Sequence, residues 1–495
     1  MSLRRRFAQS SAWLIAGTST DNIIQFIIFA ILARILPIRD FGIVAFTMLF
    51  VDISRIFVTG GLPASLVQAR DWNDHVSSVC FTYNAAMAVA FGLLFAVVGG
   101  PLFEHFYGAG SGWIVASLGL VFFIDSIKAV HVAKLRREMR YRSLAVRGSV
   151  AGIAGGAIAI GIALAGGGAW ALVFQRLIYQ LVLAWLSLNA TRWWPKLVVD
   201  RQVLRQLMPF GLRVTISRGL DMINLRMPNI LIGFVAGPVG VALYRVGTRA
   251  LDTLRRIFLF PFQDAAFSAL SRIQARPAIA AAYLRLNRAV ATVAFPVFFG
   301  LTAVATDVTT LFFGEKYAAS GDIFAVLALA GVPNTLALFA GSAFLAAGQP
   351  RMGNITNATL LLFNLVLIVP LTYRFGSVGA AIGNLVAMLL VMPLTLHLLK
   401  RHLDLHVADL LRAIAAPTIL SALMAAALWG IKLYLQWPMP RLIEVAFLVA
   451  AGAVLYVGMF ALWGRAHLRE LLIDLEPLFP ESVGRRLAAL SGRLS

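Results

Sequence analysis

The reading of this chain turns on RVTISRGLDMINLRMPNILIGFVAGPVGVALYRVGTRALDTLRR, residues 213–256. Two apolar segments flank a minimal Gly237-Pro238 turn. Set into them are Arg213, Arg218, Asp221, Arg226, Arg245, Arg249, Asp252, Arg255 and Arg256. The apolar residues run continuously instead of alternating, which points to two antiparallel membrane helices and not to barrel strands. Arg245, Arg249, Asp252 and Arg256 fall at i, i+4, i+7 and i+11, one helix face. Arg218, Met222 and Arg226 share a face of the partner segment, with Asp221 beside it. An arginine at mid-membrane costs at least about 2.5–3.5 kcal/mol, so these side chains are expected to face a bundle interior or a water-filled cavity.

Composition agrees with that reading. Of 495 residues 60% are hydrophobic and only 13% charged, against about 25% charged in soluble domains, and the mean hydropathy is +0.83. The class is a polytopic all-α membrane protein. Residues 1–7 are basic, but the apolar run over 12–36 is too long for a signal-peptide core and lacks a small-residue cleavage site, so it reads as a retained first span. Cys80 is the single cysteine, which removes disulfides and cysteine metal clusters, and the seven histidines have no ligand spacing. Neither a metal nor a cofactor is expected. The net charge of +21 belongs, in so apolar a chain, to topology and anionic headgroups and not to nucleic acid.

Apolar segments of about 20 residues recur near 11–36, 41–61, 77–99, 112–131, 145–165, 169–190, 208–235, 239–262, 289–313, 322–346, 354–373, 378–399, 410–432 and 442–463, about fourteen helices. Alternate connections are basic: Lys134, Arg136, Arg137, Arg140 and Arg142, then Arg192, Lys196, Arg201 and Arg205, then Arg272, Arg276, Arg285 and Arg288, then Lys400 and Arg401. Those between, such as 99–112, 166–168 and 237–238, hold no Lys or Arg. The positive-inside rule makes the basic set cytoplasmic, with both termini inside.

The two halves echo each other at an offset of roughly 200 residues, the duplicated pattern of many transporters. Asp21 answers Asp221, Asp52-Ile53-Ser54-Arg55 answers Asp252-Thr253-Leu254-Arg255, and Pro63 answers Pro261. The parse is a six-helix lobe over 1–200, a second over 201–400, two further helices over 401–464 and a cytoplasmic amphipathic tail over 465–495. Residues 264–286 fit an interfacial helix.

Two carboxylates on the 213–256 hairpin cannot neutralise its arginines, so the alternative of helix-locking salt bridges does not account for the whole set. The candidate substrate-binding cations are Arg55, Arg213, Arg218, Arg226, Arg245, Arg249 and Arg255. Excess positive charge with forked donors suits phosphate. Asp21, Asp52, Asp221 and Asp252 are candidates for gating or coupling. Arg34, Arg39 and Asp40 read as interfacial. Gly152, Gly155, Gly156 and Gly161 read as close helix packing, and nothing resembles a Walker A loop.

Ala33-Arg34-Ile35-Leu36-Pro37 with Asp40-Phe41-Gly42, then the run from Gly61 to Gln68 and the loop from Lys134 to Arg142, resemble the polysaccharide-transporter proteins. These are the Wzx-type oligosaccharide flippases of the multidrug/oligosaccharidyl-lipid/polysaccharide exporter superfamily. The resemblance implies two six-helix lobes around a central cavity lined by the first, second, seventh and eighth helices. It further implies a bacterial inner-membrane flippase moving undecaprenyl-diphosphate-linked oligosaccharide to the outer leaflet for exopolysaccharide, O-antigen or capsule. The polysaccharide polymerase and export machinery would then be partners. The alternatives are a cation-coupled multidrug-type exporter, against which the arginine excess argues, and a membrane polymerase or ligase, against which the short outward loops argue.

Overall fold

A computed structural model describes residues 3–68, 72–138, 140–258, 270, 273, 275–434 and 440–464, without the side chains of residues 3–18, 141, 142, 145, 221, 224, 254 and 256–258. The expected tail over 465–495 and the side chains of Asp221 and Arg256 lie outside the described residues. Among the described residues every regular element is a helix. In order these are α1 (Leu3–Ile35), α2 (Ile38–Thr59), α3 (Leu62–Gln68), α4 (Asp74–Leu94), α5 (Gly100–Tyr107), α6 (Ser111–Arg137), α7 (Tyr141–Leu164) and α8 (Trp170–Thr191). Then come α9 (Arg201–Val235), α10 (Gly237–Phe258), α11 (Arg276–Phe313), α12 (Ala319–Ala346), α13 (Pro350–Leu403), α14 (Val407–Tyr434) and α15 (Arg441–Trp463).

Among the described residues ten helical stretches are long and apolar enough to cross a membrane. One of them, α13, breaks at Phe375 and Gly376 (φ +60°), so its 54 residues are two helices end to end. Another joins α4 to α5 through a π-helical turn at Phe95–Gly99. The helices α1, α9 and α10, with 33, 35 and 22 residues, are also long enough to span, and each contains residues whose side chains lie outside the described set. Of these, α9 and α10 carry the arginines of residues 213–256, and the expected count of fourteen requires all three to cross.

Two expectations about connections change. Of the interfacial helix expected over 264–286, residues 276–286 are instead the first part of α11, which runs unbroken for 38 residues, and residues 264–269, 271, 272 and 274 lie outside the described residues. Pro277 stands where a helix start tolerates proline, and the alanines after it favour continuation. Likewise the bare connection expected over 99–112 is mostly α5, leaving a turn at Gly108–Gly110.

The chain divides into two compact units, Met1–Arg245 and Val246–Ser495. Within the first, α7 packs on α1 and α8, α6 on α4 and α8, and α2 on α6 and α9. Lipid offers apolar surface as good as another helix, so association depends on close van der Waals approach by small residues. A Cβ on Gly156 would strike Ile28 of α1, and one on Gly155 would strike the Gln175 carbonyl of α8. Gly152, Gly155 and Gly156 therefore do pack helices, whereas Gly161 faces open space. Gly42 of α2 abuts the Pro238 backbone, and Gly61 (φ +65°) abuts the Gly211 backbone of α9. These contacts set the start of α2 against the start of α10, and the turn after α2 against α9.

In the second unit α11 packs on α12, α14 and α15. A cluster of Ala303, Val304, Leu420, Met424, Leu428, Leu448, Tyr456 and Phe460 closes that junction. Lys432 of α14 pairs with Asp307 of α11, and Arg441 at the start of α15 pairs with Glu315.

Candidate functional site

Asp52 lies in the second half of α2, before Gly60 ends the helix in a left-handed turn (φ +55°). Its side chain is 13% exposed and three arginines converge on it. Arg226 of α9 donates to Oδ2 at 2.8 Å. Arg176 of α8 approaches Oδ1 at 3.6 Å, and Arg55, one turn further along α2, lies 3.8 Å from Oδ1. Arg55 turns its Nε to Asp125 of α6, a carboxylate only 3% exposed. Lys128, one turn on from Asp125, meets its Oδ1 at 2.6 Å and also donates to Gln180 of α8.

The helices α2, α6, α8 and α9 are thus tied by one polar network inside the first unit. Its described members are two carboxylates, Asp52 and Asp125, and four cations, Arg55, Lys128, Arg176 and Arg226. Two positive charges are left over among half-buried side chains, and a partly desolvated charge there is favoured by a counter-charge with hydrogen bonds. A phosphate or diphosphate supplies both, and each guanidinium has five N–H donors of which the network uses only some.

Of the residues singled out from sequence, Arg55, Arg226 and Asp52 are brought together here. Asp21 of α1 is reached by the Tyr179 hydroxyl of α8 at 3.4 Å. Arg245, the last residue of the first unit, donates to the Ala45 carbonyl of α2 at 3.4 Å. Arg213 and Arg218 are exposed on α9, and Arg213 donates from Nε to the Pro209 carbonyl of its own helix at 3.1 Å. Arg249, Asp252 and Arg255 belong to the second unit, Asp252 exposed and the two arginines half-buried. Near the first helix turn, Arg39 donates to the Tyr107 carbonyl at 2.7 Å.

Sequence reading passed over Asp125, Lys128, Arg176, Tyr179 and Gln180. The signal was present: Asp125, Lys128 and Arg176 are charges inside apolar runs, the same feature that drew attention to residues 213–256. Asp125 and Lys128 stand at i, i+3, but pairing between helices was not readable, since Asp52 and Arg226 are 174 residues apart. Among the described residues no cluster of His, Cys, Asp or Glu could hold a metal ion.

A protein-family model described as "Polysaccharide biosynthesis protein" matches residues 31–322. The teichuronic acid biosynthesis protein TuaB of Bacillus subtilis (strain 168) is 24% identical over 472 residues, 92% of this chain and 95% of that protein. The succinoglycan biosynthesis transport protein ExoT of Rhizobium meliloti (strain 1021) is 25% identical over 319 residues, 64% of each chain. Among solved structures, the lipid II flippase MurJ in an inward closed conformation superposes with a TM-score of 0.73 over 92% of this chain and 99% of that one, at 12% identity. That likeness is one of fold.

Proposed function

We propose, from the premise that the chain belongs to the polysaccharide biosynthesis protein family, that it flips an undecaprenyl-diphosphate-linked oligosaccharide from the inner to the outer leaflet of a bacterial inner membrane. The family, the transport relatives and the flippase-like fold make it a multi-pass membrane transporter of polysaccharide biosynthesis. The diphosphate-linked substrate is the finer reading. One observation carries it: a buried network in which two carboxylates face four cations.

In this reading Arg226 and Arg176 take the diphosphate and Asp52 is their resting partner. Arriving phosphate competes with Asp52 for the same guanidiniums, and their release loosens α2 from α8 and α9. Buried ion pairs of this kind are best attested as switches and register devices. Arg55 and Lys128 stay with Asp125 and keep the local potential positive. Arg213, Arg218, Arg245, Arg249 and Arg255 are assigned to guiding the same anion. Asp21, Asp221 and Asp252 are assigned a gating part like that of Asp52. The basic connections support an orientation with both termini cytoplasmic, so substrate enters from the leaflet where such lipids are assembled.

Arg226→Ala in full-length protein reconstituted with a fluorescent lipid-diphosphate oligosaccharide is the test. Flipping is expected to fall at least about a hundredfold, the order of one lost charge-assisted contact in a desolvated site, with thermal unfolding little changed. Arg226→Lys should restore only part of it, since ammonium lacks the fork. Normal flipping by Arg226→Ala, or loss explained wholly by unfolding, would leave the network a structural clamp.

A further inference from the structure

A second basic feature of the first unit lies away from Asp52. Between the start of α7 and the end of α8 is an open groove of about 540 Å³ lined by Arg140, Ser143, Val146, Arg147, Val150 and Leu186. Arg140, Ser143, Arg147 and Val150 follow at i, i+3, i+7 and i+10, one stripe along the helix. Arg140 stands just before the first turn of α7, Ser143 lies in that turn, and Val146, Arg147 and Val150 follow further along the helix. At 1.5 Å rise per residue the two arginines are about 10 Å apart along the axis.

Both guanidiniums are oriented by the last turns of α8. Arg140 donates to the Ala190 carbonyl at 2.7 Å and Arg147 to the Ser187 hydroxyl. Each keeps further N–H donors beyond that one bond. Glu138 lies 3.7 Å from Arg140, itself 41% exposed at the rim. Val146 and Val150 are 50% and 43% exposed, so the groove has bare apolar walls beneath its cationic mouth.

That layering selects an amphiphile. A free phosphate gains nothing from Val146, Val150 and Leu186, whereas a lipid whose phosphate sits at the mouth lays its chain along them. Basic pockets between membrane helices are general sites for anionic headgroups. We propose that this groove holds a net-anionic diacyl phospholipid of the surrounding leaflet. Its phosphate lies between Arg140 and Arg147, a headgroup or glycerol oxygen meets Ser143, and one acyl chain lies against Val150 and Leu186. A resident phospholipid fits better than a scarce diphosphate lipid, because bilayer lipid is abundant and a shallow two-arginine groove suffices to retain it. The site is independent of the transport reading.

Delipidated full-length protein is titrated in detergent with phosphatidylglycerol, phosphatidylcholine, inorganic phosphate and undecaprenyl diphosphate, with bound species resolved by native mass spectrometry. One phosphatidylglycerol is expected to bind about tenfold more tightly than phosphatidylcholine, with inorganic phosphate not displacing it. The combined Arg140→Gln and Arg147→Gln variant should lose that preference. Val150→Trp, which keeps both arginines and fills the wall, should weaken phosphatidylglycerol about as much, and it decides the matter if the double variant does not fold. Equal retention of phosphatidylglycerol and phosphatidylcholine, or phosphatidylglycerol binding untouched by Val150→Trp, overturns the proposal. So does displacement by inorganic phosphate, or undecaprenyl diphosphate as the preferred groove ligand.

Discussion

In the second unit Asp307 meets Lys432 and Glu315 meets Arg441, one carboxylate for one cation. In the first, Asp52 meets three arginines while Asp125 shares one of them and adds a lysine. The exposures overlap, Asp52 and Asp307 being 13% and 14% exposed and the network arginines 25–30% against 32% for Lys432, so the regions differ chiefly in charge balance and in Asp125, which is 3% exposed. Balanced, half-wet pairs near helix ends are what fastening α14 and α15 to α11 requires. An unbalanced network fastens helices too, but at an electrostatic cost that a bound anion would relieve. The difference separates a clamp from a site.

Removing a carboxylate from each region is the sharpest way to break that comparison. Asp125→Ala strands Arg55 and Lys128 and should destabilise by about 3–5 kcal/mol, the range for a buried pair left half-made. Asp307→Ala leaves a cation that reaches water and should cost about 1 kcal/mol. Thermal unfolding of the two variants in one detergent checks the ranking, and equal losses would abolish the distinction.

A smaller effect belongs at the membrane edge. Asp200 caps α9, accepting from the backbone N–H groups of Gln202 and Val203. Its hydrogen bond with His75, 2.9 Å, together with those N–H groups, holds its carboxyl below the usual carboxylate range. A carboxyl lowered on folding contributes stability above its unfolded value, near 4, and that contribution is lost as pH falls through the folded one. The unfolding temperature of the parent protein should therefore drop slightly on acidification from about pH 5, and that of Asp200→Asn should drop less. Parallel curves would mean that the cap contributes nothing titratable.

The fold was more legible than the site, for a physical reason. Continuous apolar runs declare membrane helices locally, and the break at Phe375-Gly376 fell between two expected spans. The length of α11 was not legible, because an alanine-rich amphipathic start and an apolar span look like separate elements until no breaker is found between them. In the site, Asp52 and Arg226 stood out as charges among apolar residues. Their partners on α6 and α8 carried the same signal, but the pairing depends on which helices pack beside α2, which no local pattern declares. The repeat coupled Asp52 with Asp252 by position; the structure gives Asp52 three arginines and leaves Asp252 exposed.

The central claim is that Asp52 and the substrate phosphate compete for one set of guanidiniums. Its most direct test is the affinity of purified full-length protein for a lipid-linked diphosphate oligosaccharide, wild type against Asp52→Asn. With the internal competitor neutralised, binding should tighten about tenfold, equivalent to about 1.4 kcal/mol, while flipping slows because the resting pairs no longer re-form. Unchanged affinity, combined with loss of the pH dependence of flipping, would instead make Asp52 a proton carrier and contradict the account.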